Sequence, residues 1–319
     1  MLKVRIIFSG LWVILLVILS ACSPIPSQQK TGTGSPEAPG FIRVVATTTI
    51  LGDVVRQVGG GFIELTILLP AGIDPHSFEP APQDIAAVAH ADLIIVNGVG
   101  LEVFLDRLLK NAGSTSIIVT ASDGIALRQL GNVAGEAGAT GPTNVSDPHV
   151  WFNPNNVIIW TQNIERALSD LDPAHAPTYS ANALAYQAQL LTLDSWITEQ
   201  VSQIPQENRN LVTDHEDMGY YADRYGLKQT GAVIPGFSSV SQPSAQELAA
   251  LEEIIRINNI RALFIGTTVN PNLAQRVASD TGAQLVMVYT DALTQPGGKA
   301  DSYLTLMRFD TSAIVEALK

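Results

Sequence analysis

The 319-residue sequence contains one cysteine, Cys22. That excludes a disulfide framework and any cysteine-based zinc finger. Histidine is also scarce, with five in the chain. Charged residues make up 15%, against about a quarter in ordinary globular chains, so this is not a disordered, solvating polymer. Positive charge is the scarcer sign: 18 Lys and Arg face 30 Asp and Glu, for a formal charge of −12. Nucleic acid is therefore excluded as a partner, since its binding rests on neutralising phosphates. A polybasic membrane-surface protein is excluded by the same count. No His-Glu-x-x-His helix motif is present. Gly297-Gly298-Lys299 runs into Ala300 and lacks the upstream glycine of a P-loop, so an ATP-using role has no support. What the chain does have is apolar residues, at 46%, and length enough for two domains.

The N-terminus sets the compartment. Lys3 and Arg5 precede an apolar stretch over residues 11–19, then Ser20, Ala21 and Cys22. Leu19-Ser20-Ala21-Cys22 resembles the lipobox of bacterial lipoproteins, in which the signal is cut before a cysteine that carries lipid. Residues 1–21 are thus expected to be a lipoprotein signal peptide, with Cys22 the site of lipidation. The plainer alternative is an uncleaved anchor, but the apolar core is short for a span of roughly 20 residues. Both place the body outside the cytoplasm, attached to the cell membrane. Residues 22–40 are rich in Ser, Pro, Gly and Thr, and read as a flexible tether.

From Phe41 onward, short apolar runs alternate with helical patterns. Residues 44–46, 65–69, 93–96 and 117–119 are strand candidates, of a length that suits buried parallel strands. Residues 84–90 and 102–111 read as helices. The second half repeats the habit, with strands expected at 211–213, 262–265 and 285–288 and helices at 246–257 and 274–281. Such alternation predicts an α/β fold with parallel sheets. Between the halves, Tyr179, Ala183, Tyr186, Leu190, Leu193, Ile197, Val201 and Ile204 form one apolar stripe. Pro177 suits the first turn of that helix and Pro205 its end. It is either an ordinary packing helix or a stiff connector, and its length and central place favour the connector. Residues 130–148 carry Gly131, Gly135, Gly138, Gly141 and Pro142, and are expected to be a surface loop.

Three of the five histidines sit in polar, turn-rich contexts. Asp-Pro-His occurs twice, at Asp74-Pro75-His76 and Asp147-Pro148-His149. His215 follows the 211–213 strand, and Asp291 follows the 285–288 strand. In open α/β sheets, ligands bind beyond the carboxyl ends of strands. Imidazole and carboxylate are good zinc ligands and tolerable manganese or iron ligands. Residues this far apart do not form a local finger; a site made from them is assembled from distant loops. On spacing alone, capping and surface roles stay open for each. His90, at a helix end, and His175, ahead of the long helix, read as structural. Trp151 is expected to pack beside the site.

The chain from about Arg43 onward resembles the zinc- and manganese-binding solute-binding lipoproteins of bacterial ABC importers, the TroA-like or cluster A-I family. The match lies in Gly-Ile-Asp-Pro-His-Ser-Phe-Glu-Pro-Ala-Pro-Gln-Asp at 72–84 and Asp-Pro-His-Val-Trp-Phe-Asn-Pro at 147–154. It continues in the run from Leu211 through Thr213-Asp214-His215-Glu216 to Leu227, and in Tyr289-Thr290-Asp291-Ala292-Leu293. The resemblance implies two α/β lobes with parallel sheets joined by one long helix, and a metal in the cleft between them. The implied boundaries are 41–175 for the N-terminal lobe, 176–204 for the helix and 205–319 for the C-terminal lobe. It implies His76, His149, His215 and Asp291 as the metal ligands. The implied function is capture of one divalent transition metal and its delivery to an ABC permease, whose ATPase is a separate subunit. A monomer is expected.

Departures bear on the metal. Manganese-type members usually carry glutamate where His215 stands, so three imidazoles and one carboxylate favour Zn2+ over Mn2+, with Mn2+ the alternative. Zinc-type members often carry a His-rich acidic loop, whereas residues 125–146 hold no histidine. Asn153 stands where aspartate is common, and Gly266 where many members are acidic. Two rivals remain. A zinc hydrolase would need an open coordination position for water, which three His plus Asp would fill, so no enzyme is expected. Cell adhesion is credited to some relatives, but no residue here specifies a host ligand.

Overall fold

The computed structural model describes residues 41–129 and 146–319. The expected signal peptide, tether and lipidated Cys22, and most of the expected 130–148 loop, lie outside the described residues.

The first half begins with β1 (Ile42–Ala46) and α1 (Thr49–Gly59), then β2 (Ile63–Ile67), α2 (Pro82–His90), β3 (Leu93–Val96), α3 (Leu105–Ala112) and β4 (Ile117–Thr120). Its four strands pair in the order β2-β1-β3-β4, all parallel. Two helices follow, α4 (Pro154–Leu171) and α5 (Ala176–Val201). The second half holds β5 (Asn210–Thr213), α6 (Gly219–Tyr225), β6 (Lys228–Ala232), α7 (Ala245–Ile257), β7 (Ala262–Gly266), α8 (Asn272–Thr281), β8 (Gln284–Val288) and α9 (Tyr303–Leu318). Its sheet, β6-β5-β7-β8, repeats the strand order of the first. Without any clear sequence repeat, the two lobes share one winding. In both, the strand order reverses at the first strand, where open α/β sheets place their ligands.

Local chemistry sets the helix starts. Thr48 accepts from Leu51 N at 3.2 Å ahead of α1. Ser244 and Glu247 form a reciprocal capping box on α7. Pro154 opens α4 behind Asn153, whose side chain accepts from Asn155 N at 3.0 Å. Asn153 therefore acts here as a helix cap, a role aspartate also fills.

The apolar stripe of α5 is buried along its length, and Ile204 is buried beyond the helix end. The helix stops at Val201, short of Pro205, because residues 202–204 close in tight turns. One face of α5 packs on α1 and α4, and it also packs on α6 and α9 of the second half. One continuous apolar core runs from Val44 and Leu51 through Tyr186 and Leu190 to Phe264 and Leu306. Each sheet has one smaller core besides, around Ile94 and Leu108 in the first and around Leu263 and Val277 in the second.

Two strand expectations shift. The ladder of β2 begins at Ile63, before the expected 65–69, while Leu68 and Leu69 still bond to Ala46 and Thr47 carbonyls. Strand β4 is not buried: Ile117 is 51% exposed and Ile118 45%. Among the described residues it is an edge strand, paired only with β3. Among the described residues, no helix is long and apolar enough to cross a membrane.

Candidate metal centre

His76, His149, His215 and Asp291 come together. One potential ligand atom from each lies within 4.8 Å of all the others. Nε2 of His149 is 3.2 Å from Nε2 of His76 and 3.2 Å from Nε2 of His215. The three ring centroids are 5.0 to 5.3 Å apart, with planes inclined 57 to 85°. Rings in mutual stacking would lie flat; these turn their nitrogens to a common point. His90 and His175 stay apart from this cluster. His175 bonds Asp172 at 2.6 Å and stacks on Phe62.

Each side chain reaches the centre by a different route. His215 stands two residues past β5, and Asp291 three past β8. His149 enters a tight turn at Val150–Phe152 that leads into α4. His76 lies in the long connection from β2 to α2. The N-terminal half therefore contributes one long loop and one turn, and the C-terminal half two strand ends. His149, His215 and Asp291 are buried, while His76 is partly exposed.

Hydrogen bonds behind the cluster orient it. Asp147 Oδ1 accepts from His149 N at 3.0 Å and from His149 Nδ1 at 2.9 Å. Asp214 Oδ1 does the same for His215, at 2.8 and 3.0 Å. With Nδ1 donating to a carboxylate, Nε2 is turned inward, the arrangement by which proteins hold metal-ligating imidazoles. Asp214 Oδ2 is held by Gly266 N at 2.9 Å. A Cβ on Gly266 would collide with Thr290 Oγ1 and crowd Asp214. The glycine is thus required by two supports of the site. One carboxylate oxygen of Asp291 lies within 4.8 Å of the histidine donors; Oδ2 accepts from Thr268 at 3.0 Å and Thr290 at 2.8 Å, and the buried Oδ1 has no hydrogen-bond partner. A buried carboxylate oxygen of that kind wants a cation.

Trp151 lies beside the site as expected. Its ring meets His149 edge to face at 5.2 Å, and its Nε1 donates to Thr290 O at 3.0 Å, across to the other half. Tyr303 closes the same seam by donating to Trp151 O at 2.7 Å.

The electrostatics divide the histidines. Burial pushes His76 and His149 down, His149 well below the ordinary imidazole value. Burial acts on His215 too, but Asp217, Asp214 and Asp291 outweigh it and push that imidazole up to about 10. Burial raises Asp147 to about 7 despite Arg128 nearby. Burial likewise pushes Asp217 well up; both its oxygens are buried without a hydrogen-bond partner, 4.0 Å from His215 Nδ1. Asp217 was not foreseen. Its only signal in the sequence was its place two residues after His215.

Two like lobes with a converging donor set between them define a bilobed solute-binding protein of the TroA-like fold. The chain belongs to the ZnuA family, zinc-uptake complex component A, periplasmic, which it matches over residues 44–317. It is 30% identical to the manganese-binding lipoprotein MntA of Halalkalibacterium halodurans, over 98% of this chain and 99% of that protein. It is 31% identical to the iron-binding protein YfeA of Yersinia pestis, over 86% of this chain and 85% of that one. Among solved structures, the periplasmic zinc-binding protein TroA of Treponema pallidum superposes with a TM-score of 0.78 at 25% identity, covering 88% of this chain and 99% of that one. A manganese-bound periplasmic metal-binding protein of Candidatus Liberibacter asiaticus gives 0.76 at 27% identity, over 86% and 99%.

Proposed function

We propose that His76, His149, His215 and Asp291 bind one divalent transition metal as cargo, zinc in preference to manganese. The chain is the metal-binding component of an ABC importer and hands that ion to a permease driven by a separate ATPase subunit. The observation that carries the ligand assignment is the convergence of three imidazole nitrogens and a carboxylate oxygen of Asp291 within 4.8 Å of one another, with Asp291 Oδ1 buried and unpartnered. Three nitrogen donors and one oxygen donor fill a tetrahedron, the geometry zinc takes without strain. Manganese prefers more oxygen donors. A filled tetrahedron leaves no position for an activated water, which suits holding rather than hydrolysis. A manganese reading draws on the names of relatives at 30–31% identity. The lobe division at 41–175, 176–204 and 205–319 belongs to the same reading, as does lipid anchoring at Cys22 outside the cytoplasm, in keeping with the lipoprotein names of its relatives.

The test is competition. The chain from Phe41 onward, stripped of metal, is equilibrated with zinc against a large excess of manganese and weighed by native mass spectrometry. One zinc per chain, lost in His215→Ala, is expected. Manganese retained under those conditions would overturn the choice of metal, and no retained metal would overturn the ligand assignment.

A further inference from the structure

The loop that carries His76 is fastened differently from every other support of the site. Asp74 is its anchor. Asp74 Oδ1 accepts from His76 N at 2.8 Å, which fixes the backbone of the ligand. Asp74 Oδ2 accepts from Ser239 Oγ at 2.5 Å, and Ser239 belongs to the connection between β6 and α7 in the other lobe. One carboxylate therefore holds a ligand with one oxygen and the opposite lobe with the other. Among the described residues, the hydrogen bond of Ser239 goes to Asp74 and not to any proposed ligand.

Within its own lobe the loop is held at its far end by Phe78, which meets Phe104 edge to face at 4.9 Å, while the stretch before His76 has fewer supports. Gly72 turns it at φ +79°, and Ile73 is 40% exposed. Its internal backbone bonds, Ile73 N to Pro70 O and Ser77 N to Asp74 O, are 3.2 and 3.4 Å long. On its flank lies a cavity of about 430 Å³, lined by His76, Ser77, Phe78, Phe104 and Arg107. Among the described residues the loop thus has open space on one flank and one hydrogen bond to the opposite lobe. His76 is also the one partly exposed member of the cluster, so an ion reaching the buried donors passes it.

We infer that the Asp74–Ser239 hydrogen bond is a clasp that sets the rate at which metal enters and leaves past His76. This rests on the reading of His76 as a ligand. Ser239 acts through Asp74 on the position of His76; it is a positioning residue, not a ligand. Breaking the clasp lowers the barrier for both directions, so uptake and release accelerate together and affinity changes less than either rate.

The experiment is stopped-flow exchange on the chain from Phe41 onward. Zinc-loaded wild type, Ser239→Ala and Ser239→Thr are mixed with excess chelator, and the metal-free forms with zinc. A hydrogen bond to a charged acceptor suggests release roughly 10-fold faster or more in Ser239→Ala. Ser239→Thr keeps the hydroxyl and should return the slow rate. Equal release rates in wild type and Ser239→Ala, each with one zinc bound, would overturn the clasp and leave the ligand assignment standing. So would a drop in metal-free melting temperature with no change in exchange. Wild type that retains no zinc would overturn the ligand assignment, and the clasp with it.

Discussion

The two Asp-Pro-His turns carry the same tripeptide and end in different roles. In both, the aspartate caps the backbone N–H of the histidine two residues on, at 2.8 Å for Asp74 and 3.0 Å for Asp147. This is the local bond that Asp favours in turns. The second carboxylate contact separates them. Asp147 is buried and closes on its own histidine's Nδ1. Asp74 is partly exposed and reaches across the cleft to Ser239. One turn yields a histidine locked in ring orientation, the other a histidine on a fastened but movable loop. Surroundings, not the tripeptide, decide which. Around His149 stand the buried turn Val150–Phe152, the Trp151 ring and the Asn97 side chain, which donates to Pro148 O at 3.1 Å. His76 meets the other two histidines on one side and a cavity on the other, and is partly exposed.

The largest expected effect breaks the comparison at the proposed ligands. His149→Ala should cost more metal affinity than His76→Ala. The first leaves a buried hole whose neighbours His215 and Asp291 cannot be reached by bulk water. The second leaves a position that water can fill from outside. Both losses should exceed the roughly 10–100-fold that outer partners of a metal site cost. Chelator competition against zinc measures the pair, and an equal loss in both would show that the exposure of His76 has no energetic consequence.

Next come the two aspartates. Asp147→Asn keeps the shape but weakens the acceptor behind His149 Nδ1, and should reduce equilibrium affinity about 10-fold. Asp74→Asn should change exchange rates more than affinity, because its ring-side contact is absent and its work is done on backbone and clasp. If Asp147→Asn altered rates alone, the locked and movable histidines would not differ in kind.

Proton competition gives a third measure. His76 and His149 are pushed down by burial and carry no extra proton near neutrality. His215 is pushed up to about 10, so the metal-free chain holds a proton there through the neutral range. An arriving ion must displace it. The sign follows: affinity rises with pH, about tenfold per unit between roughly pH 7 and 9, and stops gaining from this group above about 10. Calorimetry in buffers of different ionisation enthalpy should find about one proton released per metal. A flat profile would mean that Asp214 and Asp217 do not hold His215 charged.

Much of this site was legible before any fold was built, and the reason is chemical. Histidine and aspartate at strand ends announce themselves, because little else places them there. The central strands β1, β3 and β7 were legible as apolar runs buried on both faces. Strand β6, Lys-Gln-Thr-Gly-Ala, was not, because it carries no apolar run, whereas the other edge strands β2, β4 and β8 do. Helices α1, α4 and α9 were also passed over. Their buried faces are interrupted by Asp53, by Asn156 and Thr161, and by Asp310 and Thr311. Those polar residues are buried because they bond across elements. Asp53, for example, accepts from Tyr303 N at 2.9 Å, from residues 250 positions apart. Gly266 looked like a loss of a family acid and proved to be the space in which Asp214 and Thr290 meet. Such roles belong to pairs of distant residues, and a linear reading sees one member at a time.

The smallest expected effect concerns what steadies the locked turn. Gly98, Val99 and Gly100 all have positive φ, at +82°, +57° and +82°. Glycine takes that conformation freely, whereas a β-branched residue is strained there by roughly 1–2 kcal/mol. Glu102 holds the segment by accepting from Asn97 N at 2.6 Å, Gly98 N at 3.0 Å and Thr47 Oγ1 at 2.7 Å. Asn97 then reaches the Pro148 carbonyl, one residue before His149. Val99 also packs against the main core, so its side chain is not idle. Val99→Ala loses that packing and keeps the strain. Val99→Gly loses the packing and relieves the strain. The glycine variant should therefore melt higher than the alanine variant, by about 1 kcal/mol of stability in chemical denaturation, the reverse of their usual order in ordered chain. Metal affinity should stay within about twofold of wild type in both, since Glu102 and Asn97 keep their bonds. If alanine proved the more stable, the left-handed turn at Val99 would not be the conformation that supports His149.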